Sequence, residues 1–347
     1  MNRQLRRART IGGVVLCALT GALLSSAFGI ATSEASPPAS SPLVSSSDTT
    51  LASTTSASPS RAATSTSIAF VRDSQIWIAN ADGSGQRQLV GGDGNDFDPS
   101  WSPDGSRLAY LHVTTDGQLG FVPAEIRLVA VDGTGVHSLS VSLKGRLLRS
   151  ARYNRVCWSA DGKSLFASLV GASWKTSLLQ INVRTGRASA LWSASEITAE
   201  VVSCRPRHKE LLLAISGPDV IRLFRFRLAD RKLIALKSRM VDEPDGAWSR
   251  DGKTLAVCRA PLNARLSFDS MRLVLTGPTG ITKRRLDRTL VEGSSYGFSH
   301  PSWSADGSLL AYALTAYESD PVVRVCNVAS GTVSTLIENA EQPDWRP

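Results

Sequence analysis

The chain has 347 residues, 42% of them hydrophobic and 20% charged, with a formal net charge of +9. That balance excludes a wholly disordered chain and leaves room for one large domain or two ordinary ones. Residues 68–347 carry 34 basic and 28 acidic residues without a long run of either sign. Nucleic-acid surfaces usually cluster their basic residues, so no nucleic-acid partner is expected.

The N-terminus begins "MNRQLRRART" and continues "IGGVVLCALTGALLSSAFGI" (11–30), 20 residues without a charge. A basic start, an apolar stretch and small residues beyond it read as a secretory signal peptide. The same stretch is long enough to span a bilayer uncleaved, as a signal anchor. In either case the arginines stay inside and the rest of the chain lies outside, in the cell envelope or beyond it. Membrane contact is expected only through this segment, if uncleaved. Leu16 before Cys17 is too bulky for a lipoprotein site, and Arg6-Arg7 is a weak twin-arginine signal. Residues 31–67 hold 20 Ser or Thr among 37, with four prolines. Such a segment buries too little to offset its ordering entropy, and is expected to be a disordered tether reaching roughly 30–35 Å.

Beyond the tether one motif recurs. "PSWSPDGSRLAY" at 99 is followed by "CWSADGKSLFAS" at 157, "AWSRDGKTLAV" at 247 and "SWSADGSLLAY" at 302. Taking the tryptophan as landmark gives Trp101, Trp158, Trp248 and Trp303. "SCRPRHKELLLAI" puts Cys204 in the landmark place, and "QPDWRP" ends the series with Trp345. The intervals are 57, 46, 44, 55 and 42 residues, the size of stacked supersecondary units. Each unit has room for four short strands. Asp-Gly between alternating apolar runs is a hairpin signal, and strands apolar on both faces suit sheets covered on both sides.

Residues 69–90 offer the second, third and fourth strands of a unit without a first, and "EQPDWRP" offers a first strand alone. The two ends complete each other, predicting an all-β, six-bladed β-propeller over 68–347 with four-stranded antiparallel blades. Closing the ring with strands from both termini removes an open sheet edge.

Repeats of the form "PSWSPDGSRLAY … DGSGQRQL" resemble the TolB-like six-bladed propellers of bacterial envelope proteins. The resemblance spans 68–347 and implies the fold. TolB itself carries an α/β domain before its propeller, where this chain has its Ser/Thr-rich segment, so TolB's partners are not implied.

In a blade, the first-to-second and third-to-fourth turns lie on one face of the disc. The opposite face receives the long connections 113–125, 142–155, 260–270, 289–301 and 315–321, and binding residues tend to sit on such loops. Counting three residues back from each landmark, to where the inner strands are expected to begin at the channel mouth, gives Asp98, Arg155, Val201, Asp245, His300 and Gln342. Five of these six are polar. They are candidates for holding a ligand or peptide terminus, although solvation of a channel mouth also accounts for their polarity. Arg146, Arg149, Arg152 and Arg155 form the one local basic cluster, read as a solvated loop. The landmark tryptophans are read as structural, packed between blades. Trp174, in "GASWKT" on the long-loop face, has a plausible contact role.

Catalytic signals are poor. "GSSYG" (293–297) fits the nucleophile pattern but joins no strand to a helix. His112, His137, His208 and His300 show no paired metal-ligand spacing, and "GGDGNDFDPS" lacks the Gly and terminal Glu of an EF-hand loop. No catalytic residue, metal or other cofactor is assigned. Cys157, Cys204, Cys258 and Cys326 allow three pairings. Cys157 and Cys204 fall on consecutive blades, but sheet spacing of about 10 Å favours buried free thiols.

The expected function is an exported, monomeric, non-catalytic scaffold binding a protein or peptide partner on its long-loop face. Two alternatives stand beside it. One is a metal-dependent lyase or hydrolase using Asp98, Asp245 and His300; the other is a wall-polysaccharide binder using Trp174, Tyr296 and Tyr317.

Overall fold

Each of the first five blades begins to fold back at the turn after its landmark. In the first, Asp104 accepts hydrogen bonds from the Ser102 hydroxyl (2.5 Å) and the Ser106 amide (3.1 Å), while Gly105 takes a φ of +65°. The turn recurs at Asp161, Asp251 and Asp306. "RPRHKE" makes the same bend without glycine, and Arg207 occupies the left-handed region at +59°, a conformation that costs a side-chain-bearing residue about 1–2 kcal/mol.

The structure, a computed structural model, describes residues 67–347 except 115–122, 150, 172–174, 196, 218–219, 239–240, 262–270, 288–295 and 317–318. The signal segment, the tether, Trp174, Tyr317 and most of "GSSYG" therefore lie outside the described residues. Six antiparallel blades form a closed ring. Their inner strands are Asn95–Trp101, Arg152–Trp158, Thr198–Cys204, Val241–Trp248, Tyr296–Trp303 and Glu341–Trp345, which number blades 1 to 6. Glu341–Trp345 pairs with Ser67–Arg72, Trp345 opposite Ile68 and Asp344 opposite Ala69, so both ends of the chain build blade 6. Among the described residues no helix is long and apolar enough to cross a membrane.

One connection departs from expectation. The 142–155 segment contains a small hairpin, and its Ser142–Leu143 arm pairs in parallel with Arg187–Ala188 on the outer strand of blade 2. It covers a sheet edge and is not a free loop of the long-loop face. Arg146 and Arg149 stay exposed there, whereas Arg155 leaves the cluster for the channel.

The core lies between blades. Trp158 packs with Leu111 and Ile126 of blade 1 and with Leu165 of its own blade, and Trp303 bridges Cys258 and Leu273 to Leu310 and Tyr312. Trp101, Trp248 and Trp345 are equally buried, each in a cluster spanning two blades. The landmarks thus hold neighbouring sheets together.

Cys204 does so covalently. It is bonded to Cys157, with Cα atoms 5.8 Å apart, while Cys258 and Cys326 are buried outside that bridge. This corrects the expectation of free thiols at 157 and 204. The 10 Å spacing of packed sheets does not hold here, because the inner strands converge on the axis.

Candidate functional site

The polar residues counted three back from the landmarks come together; Asp98, Arg155, Asp245 and His300 lie within their inner strands and not at the strand starts, while Gln342 is second in its strand. Each inner strand is bulged near this position, and Asp98, His300 and Gln342 have φ of +55°, +52° and +52°. A bulge re-aims side chains, and here it turns them toward the adjoining blade. The Gln342 side-chain oxygen accepts the Asp98 amide (2.6 Å), Asp98 Oδ2 accepts the Val156 amide (2.8 Å), and Asp245 Oδ2 accepts the His300 amide (2.7 Å). Val201 is the apolar exception, fully buried, its amide donating to Ser168 Oγ at 2.9 Å.

Arg155 crosses this ring. Its Nε donates to Asp98 Oδ1 at 3.1 Å and its Nη1 to Asp245 Oδ1 at 2.8 Å, so a side chain of blade 2 ties blade 1 to blade 4. All three side chains are buried or nearly so. Burial pushes Asp98 up to about 6 against the pull of Arg155. Asp245, also opposed by burial, is held below the ordinary carboxylate range by the Arg155 guanidinium and the His300 amide that donates to it. Burial, then the Arg155 charge, pushes His300 down to about 3, leaving it neutral. His300 Nδ1 is buried with no hydrogen-bond partner among the described residues.

Two carboxyl groups escaped the sequence reading. Glu200, on blade 3, is pushed up to about 7 by burial despite Arg155, with Asp245 and Asp98 adding to the rise. Glu341, on blade 6, is raised to about 7 by burial alone. Counting four residues back from Cys204 and Trp345 finds both, and among the six blades only these two carry a carboxylate there.

The three proposed metal ligands do not fit a cation as they stand. Asp98 and Asp245 share the Arg155 guanidinium, which already supplies the positive charge, and His300 Nε2 lies 3.8 Å from Asp98 Oδ1. Among the described residues no group of three or more His, Cys, Asp or Glu side chains is arranged to hold a metal ion. "GGDGNDFDPS" is also divided: Asp93 is exposed, Asp96 is buried against His112 Nδ1 at 2.7 Å, and Asp98 points into the channel. Those aspartates share no site.

No protein-family model matches the chain, and no curated protein matches it by sequence. Solved structures do. The TolB of Acinetobacter baumannii superposes with a TM-score of 0.65 at 18% identity, covering 81% of this chain and 67% of that one. A chain of a nidogen/laminin complex gives 0.60 at 9% identity, covering 81% and 98%. An oligogalacturonate lyase in complex with manganese gives 0.51 at 16% identity, covering 76% and 70%. At such identities the likeness carries the fold and assigns no activity. Residues 67–347 form a six-bladed β-propeller similar in fold to that of TolB.

Proposed function

We propose that the chain is an exported, non-catalytic scaffold of the cell envelope that holds a protein or peptide partner on its long-loop face. The observation that supports this best is the Asp98–Arg155–Asp245 bridge. It commits both aspartates to one guanidinium, where an enzyme site would need a concave pocket with convergent polar groups left for the substrate. The TolB fold and the nidogen/laminin complex are fold-level analogies in the same direction. The lyase with manganese favours a second reading, a metal-dependent lyase or hydrolase, which requires Arg155 to leave both aspartates.

A photo-cross-linking residue placed at Asp93 or Thr114, both exposed on the long-loop face, tests the proposal in cells against Thr134 on the opposite face. One discrete adduct from the first two positions and none from Thr134 is expected. Equal labelling from both faces defeats it. So does manganese-dependent turnover of an acidic polysaccharide or a lactone that Asp245→Asn abolishes.

A further inference from the structure

Counted by blade, the charge is not evenly spread. Blades 3 and 4 (198–287) hold 18 of the 34 basic residues of 68–347 and 10 of the 28 acidic ones. They are net +8, and the other four blades together are net −2. Many of the acids in these two blades are also engaged internally: Glu210 with Arg205 and Arg225, Asp230 with Arg227, Glu243 with Arg259, and Asp245 with Arg155. Exposed cations remain toward this outer side: Lys232, Lys283 and Arg285 on the outer strands, Lys237 just past the end of one, and Arg222 on the third strand of blade 3, none with an ion pair among the described residues. The two blades join at this edge, since the Lys237 amide donates to Thr279 O at 2.7 Å. Beside Lys283 stands Ile281, 57% exposed.

An apolar side chain standing among unpaired cations is the composition of a membrane-surface contact. The cations are drawn to anionic headgroups, and the apolar group enters the boundary beneath them. A wholly polar polyanion gives Ile281 nothing to do. We propose that the outer edge of blades 3 and 4 rests on an anionic lipid surface, with Ile281, Lys283 and Arg285 at its centre. This rests on the reading of an exported chain whose first 66 residues hold it near a bilayer. The 31–67 tether, reaching roughly 30–35 Å, keeps the edge within range of the headgroups.

Residues 67–347 hold six core clusters that link the blades and both ring-closing strands, so they are the unit to test, free of the apolar 11–30 stretch. Co-sedimentation with phosphatidylcholine vesicles, with and without phosphatidylglycerol, is the measurement. Binding is expected only with phosphatidylglycerol, and high salt should abolish it. K237E/K283E/R285E should weaken it by roughly tenfold or more. Ile281→Ser should weaken it without changing the salt dependence, and R184E/R187E on blade 2 should leave it intact. Equal binding to both vesicle types, or full binding by the triple variant, overturns the proposal. Binding to double-stranded DNA or an anionic wall polymer with none to vesicles overturns it too, and gives the edge to a soluble polyanion. Fractionation of the full chain tests export separately, so failure of that reading is distinguishable from failure of the lipid contact.

Discussion

Cys204 is bonded to Cys157, the residue that precedes the landmark tryptophan of the blade behind it. The same pair of positions meets in other blades by hydrogen bonding. Trp158 Nε1 donates to Ser100 O (2.9 Å), Trp303 Nε1 to Ala247 O (3.1 Å) and Trp101 Nε1 to Asp344 O (3.1 Å). The Trp345 amide likewise donates to Ser302 Oγ at 2.9 Å. The disulfide is therefore the covalent counterpart of a contact repeated around the ring, placed in the one blade without the indole.

A bridge across 47 residues contributes about 4 kcal/mol on chain-entropy grounds. Reductant should accordingly lower the melting temperature of the wild type. Cys157→Ser should melt lower still than the oxidised wild type and be indifferent to reductant. C157S/C204W should recover part of the loss, since an indole at 204 meets the position-157 carbonyl as other landmarks do. A wild type whose melting is unmoved by reductant would show that packing alone joins blades 2 and 3.

Arg155 lies between two buried carboxylates on different blades. Arg155→Met should cost about 3–5 kcal/mol in urea unfolding, because it strands both charges. Asp98→Asn and Asp245→Asn added to it should restore part of that stability, since the buried charges are then gone. If R155M/D98N/D245N is less stable than R155M alone, the bridge is not what the arginine supplies.

The channel also sets a pH dependence. Glu200 and Glu341 sit at about 7 and Asp98 at about 6, above the usual unfolded range near 4. Between about pH 4 and 7 the native state thus holds protons that the unfolded chain has released. These groups favour folding below that window, and their contribution is lost as pH rises through it. His300, at about 3, acts oppositely below about pH 6.5, where the unfolded chain takes the proton. Three carboxyl groups outweigh one imidazole, so the urea midpoint should fall from pH 5 to pH 8. Glu341→Gln should shrink the fall. A midpoint that rises over this interval contradicts the assignment.

The ring was legible because its signal is periodic: a tryptophan and an Asp-Gly turn return at blade spacing, and the two half-blades at the ends fit each other. The polar set three residues before the landmarks was legible as a set, but its depth was not. A bulge leaves no mark in residue types when Asp, His or Gln occupies the left-handed position. The disulfide was missed because spacing between flat sheets was applied to strands that converge on an axis. Small residues before the landmark, Ser100, Ser203, Ala247 and Ser302, were the available clue, since each must admit the neighbouring blade's inner strand. Charge segregation was hidden by reading along the chain, where basic residues of two strands far apart in sequence never form a run.

The landmark tryptophans separate packing from hydrogen bonding. Trp303 is buried and its Nε1 has an acceptor at Ala247 O, whereas the buried Nε1 of Trp248 and of Trp345 has no partner among the described residues. Trp303→Phe should lose the apolar area of the second ring and also the hydrogen bond, whose net worth is about 1 kcal/mol. Trp248→Phe should lose area but relieve an unsatisfied donor. It also sacrifices part of the face on which Arg205 stacks, its guanidinium carbon 4.4 Å from the ring centroid. Repeating both substitutions with Arg205→Met in the background removes that stacking term. There, Trp303→Phe is expected to be the costlier change by about 1–2 kcal/mol in urea unfolding. Equal losses would mean that Trp248 Nε1 finds an acceptor in solution, and that it staples its blades as Trp303 does.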